Sequence, residues 1–95
     1  MNWDQYIKQF KNYLRLERSL SDNSVEAYIH DVVKLKQFVE LSNLTISPLQ
    51  VESIHLNDFL EYINELGMTP HSQARIISGL KAFYKYLVFD DLLTE

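Results

Sequence analysis

The 95-residue chain contains no cysteine, only two glycines and only two prolines. Without thiols it can form neither disulfides nor thiolate metal sites, and its three histidines, His30, His55 and His71, are scattered without metal-ligand spacing, so no metal or other cofactor is expected. So little glycine and proline argues against disorder and against a sandwich built from many tight turns. No apolar run approaches membrane-spanning length, and the start, MNWDQYIKQF, carries acid early and lacks a signal-peptide core. No membrane partner is expected, and a cytoplasmic location is the default. What is present is the 46% apolar and 13% aromatic content of a packed globular chain. The length suits one domain over residues 1–95, too small for a typical two-domain enzyme. An all-α fold is expected.

Charge is unevenly placed within a formal total of −4. Residues 1–18 hold Lys8, Lys11, Arg15 and Arg18 against Asp4 and Glu17, a local excess of +2. Residues 40–67 hold Glu40, Glu52, Asp58, Glu61 and Glu65 and no base, a local charge of −5. Between Met68 and Phe89 there is no acid at all, while Arg75, Lys81 and Lys85 give +3. Such asymmetry can orient a domain on a polyanion even when the total is negative, because the field at the contact face decides. It is equally the pattern of an ordinary solvated surface.

Apolar spacing predicts four helices. The first, about Trp3 to Arg18, turns Trp3, Ile7, Phe10 and Leu14 inward, widened by Tyr6 and Tyr13. The second starts after Ser21 as N-cap, with Asp22 in its first turn and a Leu20–Val25 staple, and carries Val25, Tyr28, Val32, Leu35 and Val39 to about Leu41. Ser42 to His55 reads as a connector with one helical turn near Pro48 to Val51. The third helix, about Leu56 to Leu66, sets Phe59, Leu60, Ile63 and Leu66 inward and Asp58, Glu61 and Glu65 outward, and stops at Gly67. Asp90, Asp91 and Glu95 mark a helix exit.

The fourth helix carries the chemistry. Thr69 suits the N-cap and Pro70 the first helical position, where its missing N–H costs nothing. Ile76, Ile77, Leu80, Phe83, Tyr84 and Leu87 form the apolar face to about Leu87, while His71, Ser72, Arg75, Ser78 and Lys85 fall elsewhere on the wheel. One face is core and the other is offered outward.

In order, the segments RLERSLSDNSVEAYIHDV and SIHLNDFLEYINELGMTPHSQARIISGLKAFYKYLVFDDLL resemble the N-terminal domain of Xer-type tyrosine recombinases and phage integrases. The likeness rests on Tyr13 to Ser21, Asn23 with Ser24, Ala27-Tyr28 and Asp31 in one block. In the other it rests on Thr69-Pro70, Ser72, Arg75, Ser78, Leu80-Lys81, Phe83-Tyr84 and Leu87. It implies a compact four-helix SAM-like orthogonal bundle, a core-binding domain forming half of a clamp on double-stranded DNA. Ser24, His71, Ser72, Arg75, Lys81 and Lys85 are then the expected DNA-binding residues. Ser24, His71 and Ser72 sit at helix starts, where free N–H groups suit phosphate, and Arg75 stands one turn further in, able to reach a phosphate or a guanine edge. The reading of the fourth helix as turned toward DNA requires Arg75 and Ser72 to face outward without neighbouring carboxylates. For Gly79 and Ala82 the favoured role is close helix packing.

The resemblance also implies DNA recombination and integration, chromosome dimer resolution among its forms, with other recombinase protomers as partners on DNA. The family's catalytic Arg, Lys, His-x-x-Arg and Tyr belong to a second domain expected to be absent from this chain, so a fragment that does not itself cut DNA is expected. The six tyrosines read as core or boundary packing. Two departures stand out: Ile29 and His30 replace arginines that many relatives carry, and Glu26 lies where some relatives face DNA. The alternative reading is a helical protein-interaction module in which the acidic middle of the chain meets a basic partner.

Overall fold

Helix signals of capping and periodicity resolve into four α-helices and one 3-10 turn in a computed structural model that describes residues 2–93. The helices are α1 (Trp3–Leu16), α2 (Asp22–Leu41), α3 (Ser53–Glu65) and α4 (Pro70–Phe89), with the 3-10 turn at Pro48–Gln50. Their packing is all-α, with a Cα radius of gyration of 13.0 Å. Glu95 lies outside the described residues.

Asn2 opens α1 with a reciprocal cap: its side chain accepts the Gln5 N–H at 2.9 Å while Gln5 Oε1 accepts the Asn2 N–H at 2.9 Å. The helix stops two residues short of Arg18, because Ser19 adopts the left-handed region (φ 52°) and Leu20 N–H turns back to the Leu14 carbonyl at 3.1 Å. Ser21 and Thr69 cap α2 and α4 as their sequences predict, each accepting the N–H of the serine three residues on. The main surprise is α3, which begins three residues before the expected Leu56. Glu52 is a poor N-cap by type, but His55 reaches back and its Nδ1 accepts the Glu52 N–H at 2.9 Å, a contact with no simple composition signal. At the other end α4 runs two residues past Leu87.

The core takes Trp3, Tyr6, Ile7, Phe10 and Leu14 from α1, Val25, Val32, Leu35, Phe38 and Val39 from α2, Phe59 and Ile63 from α3, and Ile76, Leu80, Phe83, Tyr86 and Leu87 from α4. Leu66, expected inward, is 59% exposed, since the helix has already ended there. Aromatic edges lock the layers: Phe10 meets Phe83 edge-on at 5.2 Å, and Phe38 meets Phe59 at 5.6 Å. All six tyrosines are buried or half-buried in this packing. Two aromatics also tie down the connector, Trp3 Nε1 donating to the Ile46 carbonyl and Tyr84 Oη to the Pro48 carbonyl, both at 2.8 Å. Burial raises the Tyr84 hydroxyl well above the usual tyrosine range, so it stays a donor.

The closest interface is between α2 and α4, with α1 and α3 packed to either side and making little contact with each other. Its crossing point is Gly79, as the small-residue reading anticipates. A Cβ there would overlap the Asp31 carboxylate and come within 2.8 Å of the Asp31 Cβ. Glycine is required at this position by contact rather than by φ.

Candidate nucleic-acid interface

An exposed face of α4 runs from His71 through Ser78 to Lys85, residues seven apart and therefore nearly in line along the helix. Arg75 flanks this line on the α2 side. Lys81 flanks it on the α3 side, where it borders an apolar cleft of about 250 Å³ floored by Leu56, Leu60, Ile77 and Tyr84. Of the residues singled out from sequence, His71 and Lys85 thus lie on this line, with Arg75 and Lys81 on margins of different character, while Ser72 is half-buried in the first turn. Among the described residues no ion pair engages Lys81 or Lys85.

On the α2 margin, Ser24, Ala27, Tyr28 and Asp31 from α2 meet Arg75 and Ser78 from α4 around an open cleft of about 250 Å³. Fold geometry therefore joins Ser24 and Arg75, which sequence could place only by analogy. Ser24 and Ser72 are exposed and half-buried respectively, and each hydroxyl accepts from its capping residue, Ser21 or Thr69, at 3.1 Å. The caps also take the N–H groups of Ser24 and Ser72 themselves. At the start of α4, Pro70 has no N–H and Gln73 N–H already bonds the Thr69 carbonyl. Among the described residues, the His71 N–H is what the first turn leaves over. The first turn of α4 contains no acid, whereas α2 carries Asp22 there. The helix dipole of α4 is accordingly the less neutralised of the two.

Arg75 corrects the sequence reading. Its guanidinium is half-exposed but not free: Nη2 donates to Asp31 Oδ1 at 2.9 Å and Nη1 to Oδ2 at 3.3 Å, a two-point fork. The requirement that no carboxylate neutralise it fails, so Arg75 adds no free positive charge to this surface. Asp31 is 1% exposed. Desolvation raises its carboxyl above the ordinary aspartate range, opposed by Arg75 and more weakly by His30 and Lys34. Asp31 is the residue that sequence reasoning undervalued. Its signal was present, since it falls within the apolar stripe between Tyr28 and Leu35, and a carboxylate on a core face needs a cationic partner.

Lys8 and Arg15 on α1, and Arg18 just beyond its end, are exposed, while Lys11 lies 3.6 Å from Glu26. Asp58, Glu61 and Glu65 line the outer face of α3 as their spacing predicts. Among the described residues no cluster of His, Cys, Asp or Glu is arranged to hold a metal ion, and no helix is long and apolar enough to cross a membrane.

Residues 7–90 match the family described as phage integrase, N-terminal SAM-like domain. Among curated proteins, the tyrosine recombinase XerC of Pediococcus pentosaceus is 30% identical over 91 residues, covering 96% of this chain and 30% of that protein. The tyrosine recombinase XerD of Pseudomonas aeruginosa is 34% identical over 89 residues, covering 94% of this chain and 29% of that protein. XerC of Leptospira interrogans is 33% identical over 91 residues, with shares of 95% and 29%. The chain spans about 30% of the length of the curated relatives it matches. No solved structure gives a significant match. A four-helix fold, its capped second and fourth helices and a family match across nearly all of its length agree that the chain belongs to the N-terminal SAM-like domains of tyrosine recombinases and phage integrases.

Proposed function

We propose that this chain is the DNA-binding clamp domain of a site-specific tyrosine recombinase, taking double-stranded DNA against the outer face of α4 and the adjoining start of α2. The carrying observation is the acid-free stretch of α4 from His71 to Lys85, with Lys81 and Lys85 unpaired among the described residues. Phosphate is drawn to such a surface by cations and by an unneutralised helix start, while Ser24, Ser72 and Ser78 supply hydroxyls at close range. Arg75 acts here through directed hydrogen bonds, because Asp31 offsets its charge. Residues 1–95 serve as this one unit. Strand cutting, chromosome dimer resolution or integration, and assembly with other protomers on DNA belong to a longer protein bearing a catalytic domain.

The experiment is duplex binding by fluorescence anisotropy across a salt series. Affinity is expected to fall linearly on logarithmic axes, and Lys85→Ala is expected to reduce the magnitude of the slope by about 0.9, one phosphate contact's worth of released counterion. A slope unaltered by Lys85→Ala removes that residue from the surface. A second reading, protein recognition, is favoured by the apolar cleft beside Lys81. It is the better account if a duplex leaves the amide resonances of His71, Ser72 and Ser78 unmoved.

A further inference from the structure

The DNA reading leaves one buried charge without a task. Asp31 is enclosed at the crossing of α2 and α4, in space that exists only because Gly79 has no side chain. Both of its oxygens are taken by the two terminal nitrogens of Arg75. Holding two helices together does not require this, since a buried ion pair is commonly matched or bettered by apolar side chains of similar volume. The arrangement does something an apolar pair cannot, because Arg75 remains half-exposed and, among the described residues, no other protein group accepts from its remaining N–H groups. Arg75 and Asp31 border the cleft that Ser24, Tyr28 and Ser78 also line. Desolvation raises the Asp31 carboxyl, and Arg75, then His30 and Lys34, oppose that rise.

We propose that Asp31 is a positioning residue for DNA contact: its carboxylate fixes the Arg75 guanidinium at the cleft between Ser24 and Ser78, so that a backbone phosphate meets N–H donors already oriented. The inference rests on the DNA-binding reading and refines it. Preorganisation spares the entropy of ordering a long side chain at the moment of binding. It also makes a counterintuitive demand. If charge alone governed the cleft, deleting the Asp31 carboxylate would strengthen DNA binding; if positioning governs it, the same deletion weakens binding.

The test compares wild type, Asp31→Asn and Arg75→Lys in the 95-residue chain, using a short duplex of random sequence at low salt and a temperature where amide spectra show each variant folded. Asp31→Asn is expected to bind about five-fold more weakly despite losing a negative charge, the scale of one well-oriented hydrogen bond of about 1 kcal/mol. Arg75→Lys keeps the charge but lacks the fork, and is expected to lose affinity to a similar extent with an unchanged salt slope. A purely structural role for Asp31 would move the melting temperature and leave the affinity of the folded protein alone. Folded Asp31→Asn binding as tightly as wild type, or more tightly, overturns the proposal while leaving the DNA reading intact. Where Asp31→Asn does not fold, wild-type affinity in Arg75→Lys overturns it instead. Absence of duplex binding by wild type overturns the DNA reading, and this proposal with it.

Discussion

Removing Arg75 should cost more stability than removing Asp31, although the two side chains form one ion pair. Arg75→Met keeps most of the aliphatic stem and deletes the guanidinium, stranding a carboxylate that is 1% exposed against the bare Cα of Gly79. Breaking a buried pair in this sense typically costs about 3–5 kcal/mol. Because the lost arginine is half-exposed and a stranded Asp31 can take up a proton, the lower part of that range, about 3 kcal/mol, is the expected loss at neutral pH. Asp31→Asn strands a guanidinium that water already reaches, and the amide oxygen still accepts from it. Its cost should be about 1–2 kcal/mol, because the amide NH2 replaces one accepting oxygen and faces a donor. For a domain of this size the larger figure amounts to a fall of roughly 12–24 °C in melting temperature.

Urea unfolding at several pH values measures both variants. The sign of the pH dependence follows from the raised Asp31 carboxyl: the folded state holds this proton more firmly than the unfolded chain does. Between the unfolded value of 3.8 and the raised folded value, this group therefore lowers stability as pH rises and raises it as pH falls. Arg75→Met pushes the folded value higher still, so its deficit should shrink on acidification as Asp31 becomes neutral. Equal costs for Arg75→Met and Asp31→Asn at neutral pH, or a deficit that does not narrow in acid, would refute the account of Asp31 as a carboxylate dependent on Arg75.

Gly79→Ala should destabilise the domain by about 1–3 kcal/mol despite alanine's better helix propensity, because the new methyl overlaps Asp31 at the α2–α4 crossing; thermal melts check this. Ser19→Gly should stabilise it by about 0.5–1 kcal/mol, since φ at Ser19 is 52° and glycine occupies that region without strain; a rise in the urea midpoint at unchanged slope is the expected result.

Sequence alone determined the helices, because capping chemistry and apolar period are local. Ser21 and Thr69 mark their helix starts by side-chain type, and Trp3, Ile7, Phe10 and Leu14 mark a buried stripe wherever the rest of the chain goes. The same locality explains the misplaced start of α3, where His55 does the capping in place of a short polar residue at Glu52. It also explains the choice of Ser24, His71 and Ser72, which stand at helix starts by sequence position. What only tertiary structure decided is the state of Arg75 and the split between the margins of α4. A helical wheel displays Arg75 as a free outward cation, yet Asp31, 44 residues away, claims its fork, and Gly79 vacates the space that makes this possible. Lys81 likewise carries the same charge as Lys85 in the sequence but borders an apolar cleft made jointly with α3. Charge and periodicity are properties of one segment, whereas neutralisation and cleft formation need two segments in contact, and no single stretch of chain encodes which partner arrives.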